Sequence, residues 1–320
     1  MLDEAEIIKA VTSASKGFIG DDATVLPNLQ DMQYVMTKDL LLEDVHFRIN
    51  YYSPKQLAHK SLHVNLSDIA AMGAKPSYII CGIAIPNKLE LYAKKYINQL
   101  INACNENNIT LIGGDTTASV DKLVISITAI GVADTNKVKY RHLAKAGDYI
   151  CVAGNLGYAH LGLTALERNN LISQEFIDAF LLPTALLKEG SWLASKANVS
   201  SMMDVSDGLF VDLKRLCQSS NVGATIELDN FMYSQSYLST CLALKLNPTE
   251  VALVGGEDYG LLFTVTKEGY NILAQEFLDK FAYKIKALGE ITKEKNIILK
   301  EKQKNRILSM KPFTHFGEEV

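Results

Sequence analysis

The sequence predicts two domains, the first of them of the α+β class. The chain has 320 residues, enough for two domains of ordinary size. Its first half mixes strand-like and helix-like runs without strict βαβ alternation, as α+β domains do. Between Lys139 and Asp148 the texture turns polar and basic, with an Ala-Gly pair. The boundary is placed there, dividing residues 1–140 from 141–320.

Tyr34 to Thr37 read as a strand extending to Asp39, and a period of two puts Thr37 and Asp39 on one face. Ser53 to Met72 read as a helix, with Pro54 at its start and Gly73 and Pro76 marking its end. A buried strand follows at Tyr78 to Ile85, then an amphipathic helix at Leu91 to Asn107. Ile109 to Ile112 form a short strand that runs into Gly113-Gly114-Asp115, and Leu123 to Val132 another. Past the boundary, Tyr149 to Ala153 read as a strand. Helices are expected at Tyr158 to Arg168, Gln174 to Phe180, Ala185 to Ala197 and Leu209 to Gln218. Ala224 to Leu228, Gly260 to Thr266 and Lys284 to Ile291 read as strands. No repeat of solenoid period occurs.

Composition narrows the function. Hydrophobic residues make up 48% and charged residues 21%, as in a soluble globular protein. A net charge of -4 offers no surface for nucleic acid. The lysines between Lys293 and Arg306 flank short apolar runs and read as a solvated hairpin tip. Five cysteines, far apart and without a CxxC pair, read as buried thiols in a reducing cytoplasm. Met1 to Ala10 carry acidic residues and no long apolar core, so no signal peptide is expected, and no run is long enough for a membrane span.

Chemistry is concentrated in short acidic segments beside glycines. They are Gly20-Asp21-Asp22, Asp39, Asn65-Leu66-Ser67-Asp68, Gly113-Gly114-Asp115, Asp204-Val205-Ser206-Asp207-Gly208 and Gly255-Gly256-Glu257-Asp258. Asp68 has Val64, Asn65, Ala71 and Met72 as helical neighbours, a small and largely apolar patch. A carboxylate there must be bonded to backbone or lysine, or bound to a metal. Ser206 or Asp207 could cap the helix that follows, which would explain one of the two nearby aspartates. A helix start also favours phosphate. A double glycine lets backbone approach a ligand closely, but each alone is most often just a turn. His46 and His63 flank acidic segments, where a lone histidine is more often structural.

Two unit charges about 5 Å apart at an effective dielectric near 20 repel by roughly 3 kcal/mol. Several such pairs would exceed the ~5–15 kcal/mol stability of a domain. Convergence of these carboxylates would therefore require cations, best Mg2+ with its oxygen ligands. There is no GxxxxGK[ST] loop, GxGxxG, GxSxG or HExxH.

In order and spacing these residues resemble the thiamine-monophosphate kinase family. The resemblance runs from GFIGDDATVL through TKDLLLEDVHF, HVNLSDIAAMGAKP, LIGGDTT, DVSDGL and GGEDYGLLF to the terminal FTHFG. The wider superfamily holds aminoimidazole ribonucleotide synthetase, selenophosphate synthetase and a hydrogenase maturation protein. A selenophosphate synthetase is disfavoured because no reactive Cys-Lys pair lies near the N-terminus. The aminoimidazole enzyme lacks the HVNLSDIAAMGA pattern in this form. A non-catalytic nucleotide-binding protein is the remaining alternative.

The resemblance implies an N-terminal α+β domain with a mixed sheet, a C-terminal α/β domain, and a homodimer whose N-terminal sheets form a barrel. It implies ATP-dependent phosphorylation of thiamine monophosphate, with several Mg2+ ions. Asp22, Thr37, Asp39, Asp68, Asp115, Asp204 and Asp207 match metal positions. Gly114, Asp115, Arg141 and Ser206 match ATP positions, and His46, Glu257 and Phe313 match substrate positions. Asp115 and Asp207 are the expected catalytic pair. This chain departs from the family at Lys38, where a small hydroxyl residue is usual, and at Leu182-Pro183-Thr184-Ala185-Leu186, which lacks two arginines. It departs also at Tyr158 and His160, and at Gly260.

Overall fold

A computed structural model describes residues 21–25 and 32–306. Gly20, Phe313 and the terminal FTHFG lie outside the described residues, as do Met1 to Ala10 and Ile307-Leu308.

The first half is a five-stranded sheet of order β1-β2-β5-β3-β4. Its strands are β1 (Thr24–Val25), β2 (Met32–Leu42), β3 (Lys75–Pro86), β4 (Thr110–Ser119) and β5 (Val124–Asp134). Helix α1 (Pro54–Ala71) joins β2 to β3 and helix α2 (Glu90–Glu106) joins β3 to β4. β2 pairs antiparallel with β5 along its whole length, from Met32 opposite Asp134 to Leu42 opposite Val124. β3 pairs antiparallel with β5 and parallel with β4. The expected α+β class holds.

Alternation decides what the sheet presents. Val35, Thr37 and Leu41 of β2 face inward and are buried, and Asp39 shares their face. The opposite face keeps large apolar side chains in the open: Leu40 is 57% exposed and Tyr78 42%. β3 is therefore buried on one face only, not on both. β4 continues through Gly113-Gly114-Asp115, so that segment is mid-strand, where the sequence suggested a strand end.

Helix α1 is the axle of the molecule. Ser53 caps it through a reciprocal pair of bonds with Gln56, and Pro54 occupies the first turn. It is buried on nearly every side: Leu57, Leu62, Leu66 and Ile69 lie in the first core, while Ala70 and Ala71 belong to the second.

Past the boundary come β6 (Tyr149–Ala153), α3 (Tyr158–Arg168), α4 (Gln174–Leu181), α5 (Leu187–Ala194), β7 (Val199–Val205) and α6 (Leu209–Ser220). These are followed by β8 (Gly223–Glu227), α7 (Gln235–Leu244), α8 (Pro248–Val254) and β9 (Gly260–Val265). Helix α9 (Lys267–Phe281), β10 (Lys286–Thr292), β11 (Ile297–Glu301) and β12 (Lys304–Arg306) complete the described chain. The seven-stranded sheet has the order β12-β11-β8-β10-β6-β9-β7. Only the β8–β11 pair is parallel. The second domain is thus a mixed, mainly antiparallel α+β unit, a correction to the α/β expectation. The reason lies in the connections: β6, β9 and β7 are neighbours in space but far apart in sequence, and each meets the next head to tail. The lysine-rich segment forms the β11–β12 hairpin, as expected. All five cysteines are free and buried. Among the described residues no helix is long and apolar enough to cross a membrane.

The two halves are locked at α1. A Cβ on Gly190 of α5 would lie 2.2 Å from the carbonyl oxygen of Ala70. His59 bonds the Pro183 carbonyl at 2.9 Å, and His63 Nδ1 accepts from the Ala185 N–H at 3.2 Å. The two rings stack at 4.0 Å, so the segment that lacks the family's arginines docks on a histidine pair. Gly190→Val should lower stability by about 1–3 kcal/mol by overpacking this junction. Denaturant unfolding checks this; an unchanged midpoint would mean α5 can shift freely on α1.

Candidate active site

The segment Asn65-Leu66-Ser67-Asp68 sends each residue to a different place. Asn65 Oδ1 accepts from the Asp39 N–H at 3.1 Å and ties α1 to β2. Leu66 enters the core. Ser67 donates to Asp204 at the end of β7, 2.7 Å away. Asp68 accepts from the Thr37 hydroxyl at 2.5 Å. Asn65 and Ser67 are positioning residues, a role the linear pattern does not reveal although it names their segment. Their signal is that they are polar residues on a helix buried on nearly every side.

Asp22, Asp68 and Asp204 converge, each offering an oxygen within 4.8 Å of the others. Arg141 donates to Asp22 Oδ1 at 2.5 Å, and its backbone N–H donates to Asp21 at 2.6 Å. Asp22 Oδ2 is buried and has no hydrogen-bond partner. Burial holds the Asp22 and Asp68 carboxyls well above the usual carboxylate range; Asp204 adds to this at both, and Arg141 opposes it at Asp22. Burial likewise pushes Asp39 up to about 6, helped by Asp204. Asp204 is pushed up to about 6 by burial, against the Ser67 hydrogen bond. Carboxylates that resist ionisation, with an orphaned oxygen among them, are the donor set of a hard divalent cation. The residues present fit Mg2+.

The turn after β7 is built from beneath. Asp212, fully buried in α6, accepts the N–H groups of Ser206 and Asp207, each at 3.0 Å. Burial pushes Asp212 up to about 7, with Asp204 and Asp207 adding to the rise. Arg215 bridges Asp207 at 2.5 Å and Asp212 at 2.9 Å. Neither Ser206 nor Asp207 caps the helix, because Gly208 holds the N-cap position with φ 101° and without a side-chain bond. Both line the cavity instead, Asp207 with its carboxylate on Arg215. Asp258 serves the scaffold as well, accepting from the N–H groups of Gly157 and Ala159 at the start of α3.

Asp39, Asp68, Asp204, Ser206 and Asp207 line a cavity of about 670 Å³ between the two halves. His46 and Glu257 line it too, and Phe47, Tyr51, Leu163 and Phe180 add apolar surface to its wall. His46 Nδ1 accepts from the Leu42 N–H at 3.0 Å, which fixes the ring. Lys38, the departure beside Asp39, points away from the site and donates to Ser126 at 2.5 Å.

Gly114 and Asp115 are not brought to this cavity. Register places Cys81 opposite Gly114 and Gly82 opposite Asp115. A Cβ on Gly114 would fall 2.0 Å from the Cys81 carbonyl oxygen, so its close approach is to a neighbouring strand. Asp115 is exposed on edge strand β4, on the face shared by Tyr78 and Ile80, with its carboxylate on the Thr116 N–H.

Comparison with known proteins agrees with this geometry. Residues 20–133 match the model of the AIR synthase related protein N-terminal domain, and residues 145–302 that of its C-terminal domain. The thiamine-monophosphate kinase of Bacillus subtilis (strain 168) is 34% identical over 335 residues, covering 98% of this chain and 100% of that protein. A solved structure described as AaThiL complexed with AMPPCP and TMP superposes with a TM-score of 0.85 at 28% identity, covering 98% of this chain and 97% of the other. Thiamine monophosphate kinase from Aquifex aeolicus superposes with a TM-score of 0.80 at 27% identity, covering 95% and 99%. With family models over both halves and a full-length relative of this identity, the chain belongs to the thiamine-monophosphate kinase family.

Proposed function

We propose that the protein transfers the γ-phosphoryl group of ATP directly to the phosphate of thiamine monophosphate, giving thiamine diphosphate and ADP. The observation that carries this is the Asp22, Asp68 and Asp204 cluster, of which Asp68 and Asp204 line a cavity that also has apolar and aromatic walls. In the transfer, an acceptor phosphate oxygen forms the new bond to the γ-phosphorus. The bond from that phosphorus to the β–γ bridging oxygen breaks, and the electron pair leaves with ADP. The attacking oxygen is already anionic, so no strong general base is needed.

The difficulty is electrostatic, because two polyanions must meet. Asp22, Thr37, Asp39, Asp68 and Asp204 would hold Mg2+, and Asp207 and Asp115 would hold more. Bound Mg2+ supplies charge neutralisation and alignment of phosphate oxygens. The protein's own residues orient the reactants. Arg141 and Ser206 would contact the nucleotide, Gly114 and Asp115 would do so only from a second copy packed on the open sheet face, and His46 and Glu257 would contact the acceptor. Phe313, whose ring would face the thiamine, lies outside the described residues. Residues 1–140 would carry nucleotide, metals and dimer contacts, and residues 141–320 would complete the acceptor site. Five buried free cysteines are in keeping with a cytoplasmic setting.

A homodimer fits the open face of the first sheet. Leu40, Tyr78, Ile80 and Ile112 stand exposed there, and two such faces packed together would form a barrel. Asp115 lies on this face, three strand spacings or about 14 Å from β2.

Asp207→Asn and Asp68→Asn should each cut thiamine diphosphate formation by roughly a hundred-fold or more while the protein stays folded. Near-normal rates in both would remove the assignment, and ATP binding without turnover in the wild type would favour a non-catalytic role.

The metal-free protein should lose stability as pH rises from about 4 through about 6, since raised carboxyls bind protons longer folded than unfolded. Mg2+ should raise the melting temperature more at pH 8 than at pH 5. A Mg2+ shift independent of pH would contradict the cluster as its binding site.

Ile80→Lys, a charge placed on the open sheet face, should turn a dimer into a monomer in sedimentation equilibrium. A wild-type monomer would defeat the barrel.

A further inference from the structure

We infer that Lys60 is a positioning residue that sets where the organic end of the acceptor sits. The inference rests on the kinase reading of the cavity. Lys60 is only 1% exposed, although it lines the cavity wall. A buried ammonium requires an anionic partner and further bonds. It has them: its Nζ lies 2.8 Å from Glu257 Oε1 and 3.0 Å from the Tyr52 hydroxyl. The same nitrogen sits 4.2 Å from the centre of the Phe180 ring.

Glu257 needs such a hold. Its backbone is left-handed, with φ 66°, and so is that of Tyr259, with φ 50°. The loop is pinned where Glu257 N–H donates to the Ser206 carbonyl at 2.7 Å and Tyr259 N–H to that of Val205 at 2.8 Å. Those bonds place the loop; the Lys60 ion pair places the carboxylate.

Lys60, Val64 and Asp68 lie four residues apart on one face of α1, and all three line the cavity. Eight residues of helix separate the two charged ends by about 12 Å. One rigid element therefore carries a metal-binding aspartate at one end and the anchor of an acceptor-facing carboxylate at the other. It selects acceptors with a phosphate at one end and a hydrogen-bonding heterocycle at the other. The aminopyrimidine of thiamine monophosphate is such a group; the bare thiazole phosphate lacks it.

The test compares Lys60→Met, Lys60→Arg and Glu257→Gln with the wild type, using steady-state kinetics and calorimetric titration of thiamine monophosphate into Mg2+-loaded protein. Lys60→Met should raise KM and Kd for thiamine monophosphate at least about tenfold and leave KM for ATP unchanged. Its preference for thiamine monophosphate over thiazole phosphate should shrink, and Lys60→Arg should recover part of it. The Lys60→Met, Glu257→Gln double variant should be no worse than the poorer single one, as expected for two residues acting as a unit. Lys60→Gln keeps a donor for Tyr52 and carries the same expectations if the methionine variant does not fold. An active wild type with unchanged acceptor KM and preference in the folded variants would overturn the inference alone. A wild type that neither binds thiamine monophosphate nor forms product would overturn the kinase reading and the inference with it.

Discussion

Mutual repulsion among buried carboxylates is the constraint around which this molecule is arranged. Two such charges about 5 Å apart repel by roughly 3 kcal/mol at an effective dielectric near 20. Asp22, Asp68 and Asp204 offer oxygens within 4.8 Å of one another, and Asp39 lies close enough to feel Asp204. A fold of ordinary stability can keep them together only if other forces hold each backbone in place. Those forces are local and nameable. Asn65 holds β2, Ser67 holds Asp204, and the core contacts of Leu66 and Ile69 hold the helix between them. A bound cation would then relieve a strain that the scaffold is already able to bear.

Cations within the chain are placed sparingly, and the placement matters. Arg141 neutralises Asp22, and Arg215 neutralises Asp207 and Asp212. Both arginines approach from the second half of the chain, while Thr37, Asp39 and Asp68 come from the first. The acidic centre is thus assembled only when the halves are docked. That makes the fit of α5 against α1, and the histidine pair that receives residues 183–185, part of the site's integrity as well as of the fold.

Much of this was legible in the sequence, and the limits have physical causes. The bounds of α1 were readable because Ser53, Pro54 and Gly73 act through local backbone chemistry. The shared face of Thr37 and Asp39 followed from the pleat. Side chains whose meaning depends on distant partners were not readable. Asn65, Ser67 and Asp212 act on backbone or side chains in other elements, and a linear pattern does not reveal that. Helices α7, α8 and α9 were not foreseen, though Ser234, Asn247 and Thr266 cap them through side-chain bonds and are residue types that favour caps. The α/β expectation for the second domain failed because strand direction is set by which strands meet, and β6, β9 and β7 meet across long stretches of chain. Gly113-Gly114-Asp115 had the composition of a turn and the structure of an edge strand.

That edge strand holds an acidic residue away from the acidic centre. Within one chain, Asp115 and the Asp22–Asp68–Asp204 cluster lie on opposite faces of the same sheet. The cluster's face is closed by α1 and the second half of the chain; the face of Asp115 is open and rich in large apolar side chains. A solvated carboxylate on an otherwise apolar surface disfavours burial unless something cationic arrives with the covering partner. If a second copy covers this face, Asp115 becomes part of an interface and acquires the same need for a cation that organises the first site. The two acidic places would then share one physical logic: each would be tolerable in the assembled protein if cationic charge were shared there.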